Sequence, residues 1–298
     1  MPARALPWLA ALAVAMSSPA ARSLDGTAPP APRAQQARGA EDEAAEATAA
    51  EALAKLRKGI EERTAEPIKA ALIQIDPLWK QLSPTTTQKV VKAVSTMFSK
   101  LRPQIEYDVD LRANDPNRVD RPDDEPDKYA GDSREAVLEC YRTAVGLLAD
   151  KPEGPATLLP VLKLPHVKEW PDVRALVLQG LGFREDPALL KDFEAYLTDA
   201  SPAVASQAAR ALGRYFDKPM DVRRRAVGSM ISALEAADKA VAKEAGKLRE
   251  DDPTPAADYR ASIYVGFHEA LLSLTRQTFD KTEDWRKWYS EHGKDASW

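Results

Sequence analysis

Three histidines, His166, His268 and His292, are the side chains best suited to bind a metal or to move a proton near neutral pH. Zinc proteases place two helical histidines four residues apart, with a glutamate directly after the first. Residues 268–272 read HEALL, so Leu272 stands where the second histidine belongs. Because the chelating pair is missing, we predict that His268 lies at a helix surface or a helix interface and that the chain has no metal site.

An acidic, proline-containing segment, residues 104–132, offers the other candidate ligands. Calcium takes six to eight oxygen ligands, and this segment could supply them. The spacing of an EF-hand is absent, and three arginines offset the charge, which favours a solvated loop. A structureless segment of this length is unusual inside a compact domain, so we expect it to be functional or to separate two parts of the protein. The carboxylates are Asp108, Asp110, Asp115, Asp120, Asp123, Asp124, Glu125, Asp127 and Asp132, and the arginines are Arg112, Arg118 and Arg121.

Two short clusters could bind a partner. Residues 223–225 are three consecutive arginines, which point in different directions around a helix and therefore favour a solvated face over one anion site. Trp285 and Trp288 are three residues apart and share one side of a helix. They could anchor a protein or a sugar, but the pattern favours closure of the last helix pair, because terminal repeats need a cap.

The remaining signatures of catalysis are absent from the sequence. There is no glycine-rich phosphate loop, nucleophile elbow or CxxC motif. The single cysteine, Cys140, lies in a helical apolar pattern and is predicted to be a buried, unreactive thiol, with a reactive thiol as the alternative. We therefore predict a protein that is not an enzyme, with no catalytic, cofactor-binding or metal-binding residues and no cofactor.

The composition limits the class of partner. Of the 298 residues, 44% are hydrophobic, which suffices for a core, and 7% are aromatic, which suits helices better than a β-sandwich. The formal net charge of −4 argues against nucleic acid, whose binding needs a basic surface. One cysteine cannot form a disulfide within the chain, so stability has to come from packing.

The N-terminus has the pattern of a signal peptide over residues 1–21. Arg4 supplies the positive charge, residues 6–16 are apolar, and small residues permit cleavage after Ala20 or Ala21. The apolar run is too short to span a bilayer, so we expect no membrane span after cleavage and an exported, periplasmic or extracellular protein. An uncleaved N-terminal helix is the alternative. Residues 22–40 are rich in Ala, Pro and Gln and are predicted to be a flexible linker.

Two groups of helices are expected after this linker. Residues 41–103 predict N-terminal helices, with Leu53, Leu56 and Ile60 on one apolar stripe and a helix start at Ser83-Pro84. Residues 133–298 predict further helix pairs. Within them, residues 171–182 (PDVRALVLQGLG) align with residues 202–213 (PAVASQAARALG), with proline at the helix start and glycine at its end.

These two segments resemble HEAT repeats, although a spacing of about 31 residues is short for them. The end of the chain, with residues 269–279 followed by the tryptophan-containing residues 284–289, resembles the close of exported bacterial HEAT-repeat proteins. Arg276 stands where that pattern has a glycine. The resemblance implies an all-α fold, an α-solenoid of antiparallel helix pairs (HEAT-like or armadillo-like), with a disordered N-terminal segment and a tryptophan-rich C-terminal cap.

The sequence therefore predicts a non-enzymatic scaffold that binds an unidentified protein or peptide outside the cytoplasm. A helix pair cannot bury its apolar face alone, and stacked pairs present extended binding surfaces. A structural component of the cell envelope is one alternative, and a metal- or cofactor-dependent enzyme is another. Fold alone does not select among these functions.

Overall fold

The computed structural model describes residues 32–102, 134–246, 255–295 and 298, with side chains from residue 39 onward. All regular structure in these ranges is helical. The chain divides into two units, Met1–Glu41 and Asp42–Trp298. The first unit is described only from Pro32, where the first helix begins, and the second unit contains the packing described below. The predicted signal peptide, residues 22–31 of the predicted linker, and the acidic segment 104–132 lie outside the described residues.

Twelve α-helices and three 3₁₀ turns follow one another in the described ranges. The α-helices are α1 (Pro32–Glu62), α2 (Ala65–Ile75), α3 (Pro84–Lys100), α4 (Arg134–Ala149), α5 (Gly154–Val161), α6 (Pro165–Lys168), α7 (Pro171–Gly182), α8 (Leu190–Glu194), α9 (Pro202–Gly213), α10 (Met220–Ala245), α11 (Pro255–Thr275) and α12 (Thr282–His292). The 3₁₀ turns are Asp76–Gln81, Pro187–Leu189 and Arg214–Asp217.

The helices of the second unit form two layers. In the first layer, α2, α4, α7, α9 and α11 pack side by side in chain order. In the second layer, α3 packs on α5, α8 on α10, and α10 on α12. The architecture is thus an all-α solenoid of antiparallel helix pairs, as predicted. One continuous core of buried side chains runs from Ala52 in α1 to Trp285 in α12.

The helices α7 and α9 have the bounds that the sequence pattern predicts. Each begins with proline, whose missing N–H costs nothing at a helix start. Their glycines end the helices where the layer is most closely packed. A Cβ added to Gly182 would lie 2.8 Å from Cβ of Ala211, and one added to Gly213 would lie 2.8 Å from Cα of Ala270. Small residues therefore set the distances between α7, α9 and α11.

Hydrogen bonds tie both edges of this layer. At one edge, Asp199 forms a half-buried ion pair with Arg174 of α7, and its carbonyl accepts a 2.7 Å bond from the Tyr259 hydroxyl of α11. At the opposite edge, the Ser273 hydroxyl of α11 donates a 2.9 Å bond to the carbonyl of Gly213, the last residue of α9. The three helices are thus fixed against sliding along one another.

Helix α1 packs with the apolar stripe that the sequence predicts, since Leu53, Leu56 and Ile60 are buried. Its Glu46 carboxylate caps the start of α3, because it accepts hydrogen bonds from the Ser83 N–H and from the Thr86 hydroxyl, the latter at 2.6 Å. Glu46 thus fastens α1 to α3 at residues that are distant in sequence.

Several segments differ from the sequence prediction or add detail to it. Residues 32–40, assigned to a flexible linker, belong to α1, because their Ala, Gln and Arg residues are strong helix formers. Helices α5 and α6 were not predicted, because their prolines obscure the helical pattern. Among the helix pairs predicted within residues 133–298, the segment from Pro187 forms a 3₁₀ turn and the short helix α8, which ends at Glu194, whereas α10 continues to Ala245.

Candidate functional site

The three histidines lie in separate places and share no ligand set. His268 Nε2 lies 3.0 Å from the Thr278 hydroxyl, and His292 Nδ1 lies 2.9 Å from the Asp295 carboxylate. His166 contacts the carbonyl of Phe98 at the end of α3. Among the described residues, no three His, Cys, Asp or Glu side chains are placed to hold a metal ion.

His166 belongs to a polar cluster that closes the end of α3. The Tyr141 hydroxyl is 2.5 Å from the Leu101 carbonyl and 3.2 Å from the Phe98 carbonyl, and His166 Nε2 is 3.0 Å from the latter. Burial raises the pKa of Tyr141, whereas burial and then the Arg102 charge lower the pKa of His166. Both side chains are therefore uncharged, and their hydrogen bonds hold the end of α3 against α4 and α6.

The arginines of α10 point to three different segments, as their consecutive positions predict, but they are bonded and not merely solvated. Arg223 donates to the carbonyls of Leu274 and Trp298, the latter at 2.6 Å. Arg224 donates to the carbonyl of Asp295. Burial, and then the neighbouring Arg276 charge, lower the pKa of Arg223. Both arginines fasten α10 to the end of the chain.

The tryptophan pair of α12 is turned inward. Trp285 is fully buried, its ring meets Phe279 edge-on at 4.9 Å between centroids, and its Nε1 donates a 3.0 Å bond to the Phe279 carbonyl. Trp288 is half-buried and packs against Trp298 at 5.4 Å. These contacts close the last helix pair.

Cys140 is buried, and its Sγ lies 3.0 Å from the carbonyl of Ala65 in α2. The thiol thus sits in the packing between α2 and α4, in agreement with the burial that the helical pattern predicts.

None of the helices in the described ranges has the length and apolarity needed to cross a membrane.

An open groove lies beside α8, α10 and α12 and has a volume of about 490 Å³. One side of the groove carries Glu194 and the turn after it, and the other side carries α10. The approach of α10 to α12 is close, because a Cβ on Gly228 would lie 3.0 Å from the Tyr289 hydroxyl, which itself donates to the Arg224 carbonyl. The close contact between α10 and α12 therefore fixes the position of the backbone and of the Tyr289 ring that line the groove.

A three-residue network sits in this groove. The Glu194 carboxylate accepts two hydrogen bonds from the Arg225 guanidinium, one of them at 2.8 Å, and a third at 2.7 Å from the Ser229 hydroxyl. The Arg225 pKa is raised by its bonds to Glu194. Arg225 is 46% exposed while Glu194 is 18% exposed, so the guanidinium is the charged group that a ligand would meet first.

The groove lining offers hydrogen-bonding, ionic and apolar groups. Its lining combines hydroxyls, one exposed guanidinium, and the apolar side chains of Leu197 and Ala233, and it contains neither histidine nor cysteine. The Ser229 hydroxyl is bonded to a carboxylate that an arginine already neutralises, so it has no general base beside it. Hydroxyls and a fixed ion pair can bind the backbone and polar side chains of a peptide.

The groove was not predicted from the sequence. Glu194 and Arg225 are 31 residues apart, which is also the spacing of the two aligned segments. This shared spacing was the sequence signal that could have suggested a contact between the two side chains. Comparison of the chain with protein-family models, with curated proteins and with solved structures finds no match.

Proposed function

We propose that the protein is a non-enzymatic scaffold that binds a protein or peptide outside the cytoplasm. The single observation that carries this proposal is the groove beside α8, α10 and α12, in which a fixed Glu194–Arg225 pair stands between exposed hydroxyls. Its volume falls within the range of about 300–1,000 Å³ that is common for binding sites. Stacked helix pairs use such surfaces to hold extended partners.

The export signal supports the part of the proposal that concerns location. Residues 1–21 combine a basic start, a short apolar run and small residues at the end. We expect the mature chain to begin after Ala20 or Ala21, which mass spectrometry of the protein recovered from cell fractions would establish. Full-length protein in the cytoplasmic fraction would contradict export.

The binding test is an affinity capture from an extract of the protein's own cell envelope, with a groove-filling variant. Ser232 is exposed and lines the groove, so Ser232→Trp fills it without disturbing the core. We expect one or a few reproducible partners and about a ten-fold lower recovery with the variant. Ala240→Trp, at an exposed site on the same helix outside the groove, is the matched control.

Two results would contradict the proposal. The first is equal recovery of every captured protein by Ser232→Trp and wild type. The second is the absence of captured partners together with a stoichiometric metal ion in the purified protein, which would favour the enzyme alternative.

A further inference from the structure

A second surface lies at the edge of the first layer where α7, α9 and α11 end, away from the groove residues. It consists of Phe183, Arg214, Leu272 and Arg276 and is named the edge surface below. Phe183 is 54% exposed and Leu272 is 41% exposed. They are two of the five exposed large apolar side chains in the described part of the chain. Isolated exposed apolar residues are ordinary, but a group of them marks an interaction site.

The repeat register places these residues in one row. Phe183 and Arg214 are 31 residues apart and follow the last residues of α7 and α9. They touch, because the Arg214 guanidinium lies 4.0 Å from the centre of the Phe183 ring. The Ser273–Gly213 hydrogen bond then brings the end of α11, with Leu272, beside Arg214. Apolar and basic side chains therefore alternate across three neighbouring helices.

The two arginines have no carboxylate partner in the part of the chain that the structure describes. Arg210, one turn before Arg214 on α9, is paired with Glu269 at 3.0 Å, so the layer does neutralise arginines elsewhere. Arg276 is exposed, and its backbone φ of 62° is the left-handed conformation that favours glycine. An arginine at a position that favours glycine, without an ion pair, contributes little to folding, and its charge is available to a ligand.

We propose that the edge surface binds an extended segment of a partner protein in which apolar and acidic side chains alternate. The charges are complementary, since carboxylates would pair with Arg214 and Arg276 while apolar side chains cover Phe183 and Leu272. Three helices at about 9 Å spacing span about 20 Å, which about six extended residues would cross. This site is independent of the groove and would add a second contact to the scaffold.

The test is a fluorescence anisotropy titration of the full chain with a labelled heptapeptide of alternating leucine and glutamate. We expect saturable binding that weakens about ten-fold in the Arg214→Gln, Arg276→Gln double variant and about five-fold in Phe183→Ser. Added salt should weaken wild-type binding more than that of the double variant, because ion pairs are screened. A heptapeptide of alternating leucine and lysine should bind more weakly than the acidic peptide.

Matched controls use exposed residues of the same types elsewhere. Arg57→Gln on α1 and Ile73→Ser on α2 should leave the affinity unchanged, as should Ser232→Trp in the groove. Circular dichroism verifies that every variant folds. Absence of saturable binding up to about 1 mM peptide, equal affinity for the lysine peptide, or an unchanged affinity in the double arginine variant would each overturn the proposal.

Discussion

The middle of the first layer and the C-terminal end of the stack are closed in opposite ways. Between α7, α9 and α11, glycine and alanine bring backbones into contact at Gly182–Ala211 and Gly213–Ala270. At the end, the large rings of Phe279, Trp285, Trp288 and Trp298 pack on one another. A helix in the middle has a neighbour on both sides, so small residues suffice. In the described part of the chain, the last pair packs on one neighbouring pair, and the large rings fill the space within it.

The largest effect is expected at the aromatic end. Trp285→Ala removes a fully buried ring and its bond to Phe279, so it should lower the free energy of unfolding by about 3–5 kcal/mol. Because contacts in a stack are local, hydrogen exchange should increase in α11 and α12 before it increases in α7. The half-buried Trp288, changed to alanine, should cost less, and equal losses for the two variants would contradict the distinction drawn here.

The close-packed middle is tested by a matched pair of glycines. Gly213→Ala forces a Cβ against Ala270 and should cost about 1–3 kcal/mol. Gly146, in α4, has open space around it and is exposed, so Gly146→Ala should stabilise the protein by about 0.5–1 kcal/mol through helix propensity. Denaturant unfolding measures both changes.

A double variant sharpens the same test. Ala270→Gly removes the Ala270 Cβ, which the new Cβ would meet at 2.9 Å, but it leaves the Cα at 2.8 Å, so it should recover only part of the stability lost in Gly213→Ala. Simple additivity of the two changes would show that the Ala270 Cβ does not contribute to the cost of Gly213→Ala.

The junction of α3 with α4 combines aromatic packing with polar bonds. The Tyr141 ring packs edge-on against Phe98 at 4.9 Å, and its hydroxyl serves two backbone carbonyls. Tyr141→Phe keeps the ring and removes the hydroxyl, so we expect a loss of about 1–2 kcal/mol in denaturant unfolding. Tyr289→Phe, where the hydroxyl serves one carbonyl near the surface, is the control and should cost less.

The smallest effect is a pH dependence at the same junction. The pKa of His166 is lower in the folded protein than the unfolded value of about 6.5, so the folded state binds the proton less readily. The contribution of His166 to stability is therefore complete above that unfolded pKa and is lost as the pH falls below it. Burial and then the Arg102 charge disfavour the proton, and within the described residues the buried Nδ1 has no hydrogen-bond partner.

The measurement compares unfolding midpoints at about pH 7.5 and about pH 5. His166→Gln should lose less stability on acidification than wild type, because the glutamine side chain does not take up a proton in this range. Identical pH profiles for wild type and His166→Gln would contradict the assignment.

The sequence predicted the regular helices well and the groove not at all. Proline and glycine marked α7 and α9 to the residue, and Ser83 marked the start of α3, where its hydroxyl accepts a bond from the Thr86 N–H. These signals are local. Glu194 meets Arg225 only after two helix pairs have stacked, and nothing in either local segment specifies that stacking.

A recurring turn would have revealed more of the stack. Four first-layer helices are followed by an aspartate and, one or two residues later, by a proline: Asp76-Pro77, Asp150-Lys151-Pro152, Asp186-Pro187 and Asp217-Lys218-Pro219. The helices differ in their apolar residues, so an alignment of the helices alone reveals only two copies.

The 31-residue register between α7 and α9 also makes the length of the protein adjustable. Residues 171–201 form one helix pair that packs between α4 and α9 in the first layer, so a duplicated copy would have a surface to pack on at each side. Each inserted unit would lengthen the layer by about 9 Å and add one more position to the row that includes Phe183 and Arg214. The number of copies therefore sets the length of the layer, and with it the distance between the sites that the protein could bridge.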